Sequence, residues 1–252
     1  MSPITVNSQA ARPAQGRSAI ALLTVKEIFD LVRDDLVLVE QELSRQSAAA
    51  YQPVGEITSY LLGGGGKRLR PALLLLANAY AGENRPGAIR LAAVVELLHS
   101  ATLIHDDVID SADTRRGRPS ANSRWGNHRS VLAGDWLYMQ SFQMALEERN
   151  FRILDILIDL TQKMVEGELI QLAKIGRIDV NEEDALKLAT YKTACLFSGC
   201  ARLGAVLGDS AARKKNHLQI TDAIPAWHFK WLTIFWISRR PPNNWASRFS
   251  AT

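Results

Sequence analysis

Leu98-His99-Ser100-Ala101-Thr102-Leu103-Ile104-His105-Asp106-Asp107-Val108-Ile109-Asp110 is the stretch on which the fold turns. Just upstream, Leu91, Val94, Val95 and Leu98 recur at three- and four-residue intervals, the spacing of one helix face. Pro86 suits the first turn of that helix, so the spacing predicts one long apolar helix running from about 86 into the aspartates. Positions four apart share a face, which points Asp106 and Asp110 the same way with Asp107 beside them. The C-terminal end of a helix already disfavours negative charge, so such a cluster calls for a cation. Oxygen ligands suit a hard divalent ion, above all Mg²⁺, which usually brings substrate phosphates with it. Arg115 and Arg116 follow at once and offer planar forks that bind phosphate oxygens in pairs. The stretch reads as a Mg²⁺–diphosphate site at the end of a buried helix.

Helical patterning extends to both sides. Thr24-Val25-Lys26-Glu27 is a capping box opening a helix to about Ser47, and a short helix follows from Pro53 to Leu62. The Gly63–Gly66 hinge precedes a helix over about 67–81 whose Leu73–Leu76 run makes it apolar on most sides. Residues 113–126 read as a basic loop, followed by helices over about 128–149 and 151–174. Asn181 caps a last one that ends near Leu207-Gly208. No alternating strand appears, and seven or so helices predict an all-α bundle.

The chain of 252 residues, 47% apolar, can bury one substantial core. A net charge of +4 is a weak pointer to an anionic partner. No zinc-finger spacing or basic stripe interleaved with aromatics occurs, so nucleic acid is not an expected partner. Cys195 and Cys200 are too few for a disulfide framework and should lie reduced in the helical core. No uncharged apolar run reaches the roughly 18 residues of a membrane span, so no transmembrane segment is expected and a cytoplasmic location is the default. Residues 1–20 read as a disordered leader, with a transit peptide as the alternative. The helical domain spans 21–219. From 220 to 252 the patterning stops, and four of the six tryptophans cluster there, at 227, 231, 236 and 245. That shift reads as a frameshift, an unspliced intron or a truncation, or as a membrane-surface or partner-binding tail.

Other groups can join the site. In Gly65-Gly66-Lys67-Arg68-Leu69-Arg70-Pro71 the glycines permit close backbone approach, and Lys67 and Arg70 share a helix face. The spacing is not that of a Walker A loop, and the plain alternative is a flexible hinge with solvated charges. His99 lies two turns before Asp106 on a similar face, while His105 points elsewhere and should be a packing group. Asp135 is expected to be a buried pairing partner with no chemistry. Lys192-Thr193 sits in a helix lined by Ala, Leu and Cys, where a lysine requires an anion. Gln171 offers a neutral amide, with an interhelical hydrogen bond as the alternative.

Taken in order, Gly-Gly-Lys67-Arg-Leu-Arg70-Pro, Leu98-His99 through Asp106-Asp-Val-Ile-Asp110, Arg115-Arg116-Gly-Arg-Pro, Met164-Val-Glu-Gly-Glu-Leu and Tyr191-Lys192-Thr193 resemble the trans-prenyltransferases, the head-to-tail (E)-polyprenyl diphosphate synthases. The resemblance covers about residues 20–215. It implies an isoprenoid-synthase-type helical bundle, incomplete at its C-terminal end, in which isopentenyl diphosphate condenses with an allylic diphosphate. By resemblance Asp106, Asp107, Asp110 and Lys192 are the candidate catalytic groups, with Mg²⁺ on Asp106 and Asp110. Lys67, Arg70, His99 and Arg116 would hold isopentenyl diphosphate. Arg115, Lys192 and Thr193 would lie at the allylic diphosphate, and Gln171 is a further substrate-binding candidate. Thr102 and Ala101, both small, would leave the product tunnel open toward a medium or long chain, with Leu98 a deeper floor, so Ala101→Phe should shorten the products.

The family's second aspartate-rich segment should follow Arg213–Gln219, but the atypical tail begins there and Asp222 alone cannot replace it. The resemblance therefore implies a weakly active or inactive chain, working as a homodimer or in a heteromer. A non-catalytic subunit of a heteromeric synthase is the first alternative. A metal-dependent phosphohydrolase ranks below it, because His128, His217 and His228 are poorly placed as ligands.

Overall fold

The computed structural model describes residues 24–208 apart from 83, 178 and 180. The leader, the tail from 220, Arg213–Gln219 and Asp222 lie outside the described residues. Ten helices carry the described chain: α1 (Val25–Asp30), α2 (Arg33–Ala49), α3 (Gln52–Leu62), α4 (Leu69–Ala81), α5 (Arg85–Ile109), α6 (Ala121–Trp125), α7 (Asn127–Leu146), α8 (Phe151–Lys174), α9 (Glu182–Ala189) and α10 (Cys195–Leu207).

The long helix read from the aspartate stretch is the centre of the bundle. On α5, Leu91 to Val95, Leu97, Leu98, Ala101 and Ile104 are essentially sealed from solvent. The helix packs against α7, α4, α2 and α10. It is long and apolar enough to cross a membrane, with a mean hydropathy of 1.5 in its most apolar window, yet 72% of that window is buried inside the fold. All-round burial by other helices accounts for its apolar character.

Four local expectations are corrected. The helix expected over 24–47 breaks at Leu31–Val32, where i→i+3 bonds tighten the chain and turn Val32 into the core at 4% exposure, while α1 buries none of its residues. The basic loop contains an antiparallel pair, β1 (Thr114–Arg115) with β2 (Arg118–Pro119), so the described chain is not free of strand. Arg116 and Gly117 between them both adopt positive φ, 52° and 77°, as a two-residue hairpin turn requires. The helix expected from Asn181 to Gly208 is interrupted by a π-turn at Thr190–Ala194. Asp135 is exposed rather than buried, its side chain 58% accessible.

Two close approaches set the geometry around the site. α10 crosses α4 at Gly204, where a Cβ would stand 2.4 Å from the Leu74 carbonyl oxygen, and Asn78 Nδ2 donates to the Gly204 carbonyl at 3.2 Å. α8 meets the π-turn at Gly167, where a Cβ would stand 2.9 Å from the Lys192 backbone nitrogen. The absent side chain lets the widened turn lie flat on α8.

Candidate functional site

Two hollows adjoin at the C-terminal end of α5. The first, about 330 Å³, is lined by Asp106, Glu168, Lys192 and Thr193 on its polar side and by Leu103, Ile109, Met164, Val165 and Leu196 on its apolar side. The second, about 620 Å³, is formed by Gly64 to Arg70 with Glu96, His99 and Arg116. Arg70 and His99 line both.

In the first hollow the π-turn delivers Lys192 to α8. Its Nζ donates to Glu168 Oε2 at 2.6 Å and Gln171 Oε1 at 2.8 Å, and lies 3.9 Å from Asp106 Oδ2. Gln171 Nε2 in turn donates to Glu168 Oε1 at 3.1 Å. Lys192 thus has the anionic partner that its apolar setting demands, and Glu168 is a member of the site that sequence reasoning passed over. The available signal was Glu168 preceding Gln171 by three positions, on the same helix face. Burial pushes Asp106 up to about 6, against the pull of Lys192 and with further push from Glu168 and Asp110. A carboxylate in that state gains from an added cation.

The three aspartates do not act as one cluster. Each residue turns the helix by about 100°, so Asp107 faces away from Asp106. Asp107 is 1% exposed, both of its oxygens accept from Arg115 Nε at 2.8 Å, and Arg115 Nη2 reaches Oδ1 at 2.7 Å. Asp107 therefore anchors the hairpin and its Arg115. Asp110 is the exposed C-cap of α5. Among the described residues no group of three or more His, Cys, Asp or Glu side chains converges as a metal site. The carboxylates of Asp106 and Asp110, oxygen donors beside open space, fit a hard cation that keeps several of its waters.

The second hollow is basic. Arg68, in the left-handed region at φ 48°, is tied to Glu40 and, at 2.6 Å, to Glu96, so it serves to hold the glycine segment against α2 and α5. Lys67 is exposed at the rim. Arg70 stacks 4.7 Å above the Phe197 ring with its buried Nε lacking a hydrogen-bond partner, and burial pushes its pKa down. An orphaned buried donor of this kind asks for an anion. His99 is driven down to about 3, first by burial and then by Arg70, Arg116, Arg115 and Arg68, so it stands neutral among cations. Arg116 Nη1 donates to the Gly65 carbonyl and closes the hollow from the hairpin side.

Of the chain-length residues, Thr102 lines the first hollow and donates to the His99 carbonyl at 2.7 Å. Ala101 and Leu98 are enclosed in the core at 0% and 1% exposure. His105 donates from Nε2 to the Val131 carbonyl at 3.0 Å and lies 3.4 Å from Asp135, at the edge of the first hollow. Cys195 and Cys200 are unpaired thiols, pushed up to about 11 and about 12 by burial.

The sequence model of the polyprenyl synthetase family matches residues 51–224. The octaprenyl diphosphate synthase of Escherichia coli (strain K12) is 32% identical over 197 residues, 78% of this chain and 61% of that protein. Heptaprenyl diphosphate synthase component 2 of Geobacillus stearothermophilus is 36% identical over 73% of this chain and 58% of its own length. A decaprenyl diphosphate synthase from Rhodobacter capsulatus superposes with a TM-score of 0.74 at 35% identity, covering 80% of this chain and 61% of that one. A polyprenyl synthase from Caulobacter crescentus CB15, crystallised with calcium and isoprenyl diphosphate, gives 0.74 at 32% identity over 77% and 60%. The chain thus spans about three fifths of the length of the relatives it matches. With the all-α bundle and the two adjoining hollows, these matches make the chain a member of the polyprenyl synthetase family.

Proposed function

We propose that the site carries out head-to-tail prenyl transfer between an allylic diphosphate and isopentenyl diphosphate. The observation that carries this reading is the junction of an acidic, apolar-walled cavity with a basic one at Arg70 and His99. Asp106 and Asp110 would hold a hard divalent cation, Mg²⁺ in this reading, whose charge would offset that of the allylic diphosphate. The calcium and isoprenyl diphosphate bound by the Caulobacter relative support it.

Lys192 and Thr193 face the place where the allylic diphosphate would lie, with Glu168 and Gln171 fixing the ammonium. The allylic C–O bond breaks with the electron pair leaving on diphosphate, and preorganised cations stabilise that charge. Leu103, Met164, Val165 and Leu196 keep water from the allylic cation. Lys67, Arg70, Arg116 and neutral His99 would hold isopentenyl diphosphate so that its double bond attacks this carbon, and loss of a proton restores an allylic product.

Product length belongs to the same reading. Thr102 lines the cavity with a small side chain that leaves room for growth, so a medium or long (E)-polyprenyl product is expected, and Thr102→Phe should shorten it. Thr102 is the better site for this test, because a ring at fully enclosed Ala101 would overpack the core. Product chromatography checks it, and an unchanged length distribution would refute Thr102 as a wall. Asp-Asp-x-x-Asp occurs once in the 252 residues, which predicts weak turnover. Incubating the purified chain with radiolabelled isopentenyl diphosphate, an allylic primer and Mg²⁺ is the deciding experiment. Slow, primer-dependent elongation lost in Asp106→Ala supports the proposal. Elongation only after a complete synthase is added, with altered product length, would favour a subunit role, a reading prompted by the relative described as component 2. No effect in either format refutes both.

A further inference from the structure

Tyr60 has no part in the site as drawn so far, yet it holds the element that carries two of its arginines. Its ring, one turn before the glycine segment, is contacted by the guanidinium groups of Arg118 and Arg124, 4.3 and 4.8 Å from its centroid. It forms a T-shaped pair with Trp125, centroids 5.1 Å apart and planes at 74°, and its hydroxyl donates to the Pro119 carbonyl at 2.9 Å. Arg118 and Pro119 form the second strand of the hairpin. From the other strand and the turn, Arg115 reaches Asp107 and Arg116 reaches the Gly65 carbonyl.

A ribbon of two-residue strands cannot hold its own shape, and a turn with Arg116 at positive φ adds strain to the entropy of ordering it. Outside contacts must therefore fix it. On the Asp107 side these are groups of the site itself, whereas the Tyr60 ring and hydroxyl grip the opposite strand from α3. A guanidinium group over an aromatic face is attracted by the ring quadrupole, and two such contacts converge on this ring.

We propose that Tyr60 is a positioning residue that clamps the hairpin onto α3 and so presets Arg115 and Arg116 for a diphosphate. The second half of this rests on the reading of the site given above. The 252-residue chain is compared with its Tyr60→Leu and Tyr60→Phe variants, by the rate of trypsin cleavage after Arg115 and Arg116 under native conditions and by calorimetric titration with inorganic diphosphate and Mg²⁺. Tyr60→Leu should speed cleavage there by about tenfold through local opening, with the unfolding midpoint little changed, and weaken diphosphate binding by about fivefold. Tyr60→Phe, which keeps the ring, should stay within about twofold of the unmodified chain in both. Should Tyr60→Leu prove unstable, Arg118→Gln with Arg124→Gln removes the same cation–ring contacts from exposed positions and should open the hairpin alike. Cleavage unchanged in the Leu variant, or equally fast in the Phe variant, overturns the clamp. An unmodified chain that binds no diphosphate overturns the reading of the site, and with it the purpose assigned to the clamp, while cleavage still decides whether the clamp exists.

Discussion

His99 shows what a single residue reveals once its neighbours are known. In the unfolded chain an imidazole titrates near its ordinary value of 6.5, whereas in the fold burial and four arginines hold His99 at about 3. Between those pH values the unfolded state takes up a proton that the native state refuses, so stability is lost as pH falls through that window. His99→Gln removes this loss. Between pH 7 and pH 5 the unmodified chain should lose about 1–2 kcal/mol more than the variant, a figure discounted for partial exposure. Urea unfolding at the two pH values measures it, and parallel losses would disprove the assignment. Lys192 is the opposite case, a cation held by Glu168 with Asp106 nearby. Lys192→Met strands those carboxylates in a half-buried setting and should cost about 1–3 kcal/mol. Thermal unfolding would register this as a clear drop in midpoint, and no drop would show that Glu168 is adequately solvated without it.

Among the elements, α10 does most to shape the site, because its entry turn carries Lys192 and its body fixes α4. The crossing at Gly204 leaves no room for a methyl group, and the obstructing atom is backbone. Gly204→Ala should therefore destabilise by about 2–3 kcal/mol, although alanine favours helices over glycine by nearly 1 kcal/mol. A chemical-denaturation midpoint equal to or above that of the unmodified chain would show that α10 and α4 can separate freely. Gly65 is the contrasting position: it has open space around it and φ of 69°, so its constraint is conformational and not steric. The two glycines are thus required for different reasons, one steric and one conformational, and only their surroundings distinguish them.

Across the whole molecule the most conspicuous surface is an apolar stripe on α8. Phe151, Ile158, Val165 and Leu172 recur every seven residues, with Leu169 beside them, and all are exposed. A patch of this kind is suited to association, the homodimer or heteromer that the family resemblance leads one to expect. Replacing Phe151 and Ile158 together by Lys should lower the sedimentation coefficient at micromolar concentration without lowering the unfolding midpoint. Identical sedimentation would exclude this face as a contact.

Much of this architecture was legible in one dimension. The apolar repeat gave α5 and its burial, α8 runs over the 151–174 expected of it, and the acidic and basic motifs marked the segments that form the hollows. Periodicity assigns a residue to a face of its own helix, and that is a local property fixed by 3.6 residues per turn. It does not say which neighbour the face meets. Asp107 against Arg115, Arg68 between Glu40 and Glu96, the exposure of Asp135, Glu168 beneath Lys192 and the clamp at Tyr60 all join residues distant in sequence or turned by local geometry. The sequence by itself determined that this chain is a helical bundle bearing carboxylates and arginines suited to a cation and diphosphates. Only the tertiary structure decided which charges remain open to a ligand and which are spent on one another, because pairing depends on distances between helices that no local pattern encodes.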